Sequence, residues 1–87
     1  MSNFNATRAH APLPTRERLR GTVRFFDAAR GFGFIAPDND GDDVFFGKAG
    51  LDLAGIDRFL YAGERLEFEI ELDRLGRPRA GRMEVIE

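Results

Sequence analysis

Residues 65–72, RLEFEIEL, alternate apolar and acidic side chains without a break. An extended strand sorts such a pattern, because its period of two puts Leu66, Phe68, Ile70 and Leu72 on an inner face and Glu67, Glu69 and Glu71 outward. The chain must supply further strands to bury that apolar face. Four more runs rich in β-branched and aromatic residues do so, at 20–26, 31–36, 43–46 and about 80–86, separated by Gly, Asp and Pro. The connections 27–30, 37–42 and 73–76 have the composition of hairpin loops, and loops this short imply antiparallel neighbours. The segment 49–63 is longer. Its Leu51, Ile56, Phe59 and Leu60 suit the covering of a barrel end, while Gly50 and Gly55 argue against a long helix.

Five short antiparallel strands with one longer connection after the third match an all-β architecture, the small, partly open five-stranded OB-fold barrel. The length agrees: 87 residues and 9.8 kDa make one domain, near the lower size that folds without staples. With no cysteine there is no disulfide, thiolate metal site, redox pair or cysteine nucleophile, which fits a reducing cytoplasm. The formal net charge of −2 hides a split: residues 1–18 carry Arg8, Arg16 and Arg18 against Glu17, while residues 19–87 hold more acids than bases. Overall charge therefore supplies no strong attraction to phosphates, and any polyanion affinity must come from a local basic patch plus stacking. Residues 1–18, with two prolines and His10, the single histidine, are expected as a flexible N-terminal arm ahead of a domain over 19–87. They contain no apolar run of signal-peptide or membrane-spanning length, so the chain is expected to be soluble and unexported.

The hexamer Arg30-Gly31-Phe32-Gly33-Phe34-Ile35 carries the functional signal. In a strand it turns Phe32 and Phe34 to one face and leaves the other to Gly33 and Ile35, so that Ile35 serves the core. Strict alternation in the neighbouring runs sends Val23, Val44 and Phe46 inward and Arg24, Phe26 and Phe45 outward. That gives a platform of Arg24, Phe26, Phe32, Phe34 and Phe45. Rings on a sheet face stack nucleobases with little sequence demand, at about 1–3 kcal/mol per base. Arg24, Arg30 and Lys48 at the rim would add phosphate contacts.

Three stretches, Gly21-Thr22-Val23-Arg24-Phe25-Phe26-Asp27, Arg30-Gly31-Phe32-Gly33-Phe34-Ile35 and Asp43-Val44-Phe45-Phe46, resemble a bacterial cold-shock domain. The later stretches 63–68 and 76–81 resemble its fourth strand and final hairpin, so the resemblance covers about residues 19–87. It implies a five-stranded barrel that binds single-stranded RNA or DNA through its aromatic face, as an RNA chaperone or a transcription or translation regulator. It also implies that Phe25 occupies the place of a stacking tryptophan, with Phe26, Phe32, Phe34 and Phe45 as the other platform rings. Arg24 and Arg30 replace the usual lysines. Alternation would turn Phe25 inward, so its place on the platform requires a local distortion such as a bulge. Gly47 and Lys48 stand where the family usually has a histidine and a further phenylalanine. Asp57 stands where its loop often offers another aromatic, with Phe59 two residues on as a substitute.

Other readings fit less well. The start of an RNA-recognition-motif signature is present, but that fold needs helices between its strands, and only the short connection 27–30 separates the first two runs. A dinucleotide-binding loop must open a helix, which Ile35-Ala36-Pro37 does not allow. The acidic loop 38–43 lacks the sixth-position glycine and twelfth-position glutamate of a calcium loop. No nucleophile, base or metal set converges, so the chain is expected to be no enzyme and to need no cofactor, metal or small-molecule substrate. The glutamates of 65–72 are expected as solvated charges without an evident partner. The partner is expected to be single-stranded RNA or DNA, bound by a monomer without a membrane. The alternative is a diverged barrel whose aromatic face contacts a protein.

Overall fold

The computed structural model describes residues 15–86. It contains five strands, β1 (Thr15–Asp27), β2 (Phe32–Pro37), β3 (Val44–Gly47), β4 (Arg65–Leu72) and β5 (Pro78–Ile86), and one short helix, α1 (Lys48–Leu53). All pairings are antiparallel, in the sheet order β3-β2-β1-β4-β5. The sheet curls until its two edge strands, β3 and β5, approach each other, with α1 beside both. The fold is thus the all-β, partly open OB-type barrel expected from the run pattern.

The core follows from the alternation. Leu66, Phe68 and Ile70 of β4 are buried with Val23, Ile35, Val44, Phe46, Ala80 and Met83, and Leu51 and Leu60 close the barrel end. Leu72 departs from the expected inward set. It lies at the end of β4 opposite Pro78 and is exposed, because no inner layer remains there to receive it.

The outward glutamates of β4 are partnered, contrary to the expectation of solvated charges. Glu67 takes Arg18 at 3.6 Å and Arg20 at 3.0 Å, Glu69 takes Arg82 at 3.6 Å and Glu71 takes Arg79 at 3.7 Å. These pairs reach across β1, β4 and β5, a sheet-face pairing of opposite charges worth a few tenths of a kcal/mol to about 1 kcal/mol each. They also account for a second difference: β1 begins at Thr15, inside the segment expected as an arm. Arg18 is anchored by Glu67, by Glu84 at 3.6 Å and by the Arg82 carbonyl. Residues 1–14, with His10, lie outside the described residues, as does Glu87.

Three carboxylates pin the loops. Asp38 receives both arms of Arg65 at 2.8 and 2.6 Å, and that contact holds its pKa below the usual carboxylate range. Glu64 is lowered chiefly by Arg58, at 3.0 and 2.6 Å, with the Tyr61 amide adding to the effect. Asp73 is lowered first by the Arg77 amide and also by the Arg77 side chain and the Leu75 amide. A carboxylate with a depressed folded pKa adds stability above its unfolded pKa, roughly 4, and loses that contribution as pH falls through the folded value. The thermal midpoint is therefore expected to be level between about pH 7 and pH 5 and to fall below about pH 4. Asp73→Asn should flatten that acid limb. An acid limb unchanged in Asp38→Asn, Glu64→Gln and Asp73→Asn alike would place the acid sensitivity elsewhere.

Candidate functional site

Strand β1 pairs with β2 through Val23 opposite Ile35 and then Phe25 opposite Phe34, so one extra residue, Arg24, is inserted on the β1 side. This bulge resets the alternation. Phe25 is 45% exposed beside the β2 rings, while Phe26 turns to the core edge and stacks on Phe46 at 5.6 Å. Strict alternation alone would set Phe26 on this face; the bulge is the local distortion that a place for Phe25 beside the β2 rings requires.

The resulting cluster has four rings. Phe25 lies 6.1 Å from Phe32 and 5.7 Å from Phe34; Phe45 lies 5.9 Å from each of them; and Phe32 and Phe34 are 6.2 Å apart. None of the four belongs to the buried core, and Phe45 is 39% exposed. Their spacing falls in the range of favourable edge-to-face and offset contacts, so the rings hold one another in place on an open face. Phe26 meets Phe59 at 6.3 Å in a separate apolar patch, which also includes Ala28, Leu51 and Ile56. Phe59 is 60% exposed, on a loop fixed by Arg58, whose guanidinium donates to the Phe59 carbonyl at 3.0 Å and forks onto Glu64.

Gly33 explains the Gly-Phe-Gly-Phe order. A Cβ there would sit 2.3 Å from the Phe25 carbonyl oxygen and 2.7 Å from the Phe46 ring, so only glycine lets β2 press against the bulged strand. Gly31 has φ 77° and closes the β1–β2 turn, with its amide on the Asp27 carbonyl at 2.7 Å.

The flanking cations are each held by an acid. Arg24 meets Asp43 at 2.8 Å, Arg30 meets Asp27 at 3.8 Å and Lys48 meets Asp52 at 3.4 Å. These carboxylates escaped the sequence reasoning. Asp27 and Asp52, three and four residues from their partners, were signalled by spacing, whereas Asp43 is brought to Arg24 only by the sheet. Among the described residues no three His, Cys, Asp or Glu side chains gather to hold a metal ion, and no helix is long and apolar enough to cross a membrane.

Comparison with known proteins decides the family. The model of the 'Cold-shock' DNA-binding domain matches residues 19–86. The chain belongs to the cold-shock domain family. It is 45% identical over 64 residues to cold shock domain-containing protein 4 of Arabidopsis thaliana, covering 74% of this chain and 31% of that protein. It is 44% identical over 64 residues to glycine-rich protein 2 of Nicotiana sylvestris, covering 74% of this chain and 29% of that one. The chain thus spans under a third of these plant relatives. A cold shock-like protein of Thermotoga maritima is 38% identical over 69 residues, which is its whole length and 79% of this chain.

This cold-shock domain leaves a gap at Gly47. The residue lies opposite Phe32 in the sheet, in extended backbone (φ −123°), and a Cβ there would make only ordinary contacts with the Phe45 ring at 3.6 Å and above. A side chain can therefore be added beside the cluster without strain. Gly47→His is expected to tighten the binding of a four-nucleotide single strand by about one stacking contact, roughly 5- to 100-fold. Affinity that stays level or drops, measured by fluorescence anisotropy, would mean that the stacking surface ends before residue 47.

Proposed function

We propose that this cold-shock domain binds single-stranded RNA or DNA, stacking bases on Phe25, Phe32, Phe34 and Phe45. Arg24, Arg30 and Lys48 contact the backbone, and Phe26 and Phe59 form an adjoining apolar contact. The observation that carries this reading is the four-ring cluster, held outside a core that is complete without it. A stacked base is withdrawn from pairing, so the protein acts without catalysis, as a monomer in the cytoplasm. It holds strands unpaired in the manner of an RNA chaperone or of a regulator of transcription or translation. The cations are available for this role because exposed ion pairs contribute only about 0–1 kcal/mol and yield readily to a phosphate.

The test is a titration of labelled seven-nucleotide strands, T-rich DNA and U-rich RNA, at two salt concentrations. The expected result is micromolar or tighter binding that weakens with salt. No binding of either strand at low salt would overturn the proposal in favour of a ring cluster that contacts a protein.

A further inference from the structure

The β4–β5 hairpin ends in a tip that is both apolar and basic. Leu72 at the end of β4 is 48% exposed and Leu75 in the turn is 76% exposed, and both line an open hollow of about 860 Å³ with Asp73, Arg74, Arg77 and Arg79. A hollow of that volume has room for more than one side chain. The turn itself does not call for Leu75. It is closed by Asp73, whose carboxylate accepts the Leu75 amide at 2.8 Å and the Arg77 amide at 2.9 Å. Gly76 completes it, with φ 81° and its amide on the Asp73 carbonyl at 2.9 Å. The tip is therefore fixed in a shape that holds an aliphatic side chain out in water.

The charge around these leucines runs against that of the domain. Residues 72–79 carry three arginines against Asp73, whereas residues 19–87 as a whole hold more acids than bases. Asp73 is taken up within the hairpin by the two amides and by the Arg77 guanidinium at 2.8 Å. Arg74 has no ion-pair or hydrogen-bond partner among the described residues, and Arg79 makes one long contact, at 3.7 Å, with Glu71. An apolar centre ringed by weakly engaged guanidinium groups has the make-up of a protein interface, where arginine is enriched and complementary charge selects the partner. A leucine has no π-face on which a base can stack, so these side chains add nothing to the binding of a strand.

We infer that the hairpin tip docks an acidic segment of a partner protein, with aliphatic side chains of that segment seated on Leu72 and Leu75 and its carboxylates on Arg74 and Arg79. None of the four clustered rings lines this hollow. The strand and the protein partner thus occupy separate residues of one small domain.

The test uses the full chain labelled with nitrogen-15 and two synthetic twelve-residue peptides, one of alternating Glu-Glu and Leu-Leu pairs and one with Lys in place of each Glu. The acidic peptide is expected to shift amide resonances confined to residues 72–79, with an affinity that falls as salt rises, and the basic peptide to shift none. Arg74→Glu combined with Leu75→Ser, at two exposed positions, is expected to weaken the acidic peptide by at least about 10-fold. The same variant should bind a seven-nucleotide single strand as the wild type does. No hairpin shifts at millimolar acidic peptide would overturn the inference. Hairpin shifts that appear on concentrating the protein alone would also overturn it, by giving the tip to a second copy. Weaker strand binding by the double variant would give the tip to nucleic acid instead, and binding to phosphatidylserine vesicles without binding to the acidic peptide would give it to a lipid surface.

Discussion

Phe32→Ala combined with Phe34→Ala is expected to weaken single-strand binding by at least about 30-fold while leaving a folded barrel. Phe25 and Phe45 each touch both of these rings, so removing the pair leaves two separated rings where there was one surface. At about 1–3 kcal/mol per stacked base, the loss of two stacking positions amounts to roughly 2–6 kcal/mol, or 30- to 10⁴-fold in affinity. The fold survives because neither ring is part of the buried core, which is centred on Phe46, Phe68, Ile35 and Leu66. Anisotropy titration of a seven-nucleotide strand, with circular dichroism of the same sample, reads both effects. Wild-type affinity in a folded double variant would rule out stacking on this face.

The second large effect falls on stability. Gly33→Ala is expected to lower the thermal midpoint by roughly 4–24 °C. The added methyl group would meet the Phe25 carbonyl oxygen at 2.3 Å and the Phe46 ring at 2.7 and 2.8 Å. A backbone oxygen cannot swing aside, so β2 must move away from the bulge in β1, and overpacking of this kind typically costs 1–3 kcal/mol and sometimes more. In a domain of this size each kcal/mol shifts the midpoint by about 4–8 °C. Gly47→Ala is the control: its Cβ meets nothing closer than 3.6 Å, and its midpoint should change little. Equal midpoints for the two variants, measured by thermal circular dichroism, would show that β2 has more freedom than its packing implies. Since β2 carries Phe32 and Phe34, any surviving Gly33→Ala protein should also bind strands less tightly.

Both predictions come from one hexamer, and most of its meaning is legible in the order of its residues. The faces of β2, β3 and nearly all of β4 follow from a period of two, because each short strand keeps strict alternation and leaves one face to the core. Leu72 fails that rule at a strand end, where alternation continues but the core does not. The start of β1 is hidden for another reason: TRER has no apolar alternation, and its pairing is supported by arginine–glutamate contacts with β4 and β5 that local sequence does not announce.

The sequence by itself therefore determined the number of strands, their antiparallel order in the chain, most of the inward set of the core and the aromatic character of one face. All of these depend on side-chain type and spacing along a single strand. Tertiary structure decided which rings share that face and which acids restrain the cations around it. The extra residue at Arg24 exists only relative to β2, so the exchange of Phe26 for Phe25 is a property of strand pairing. Arg24 and Asp43, 19 residues apart, and Phe45 and Arg79, on two strands that meet as the sheet curls, are likewise brought together by the barrel. A one-dimensional pattern specifies which way a side chain points within its strand; its neighbours across the sheet are set by register, and one inserted residue is enough to change them.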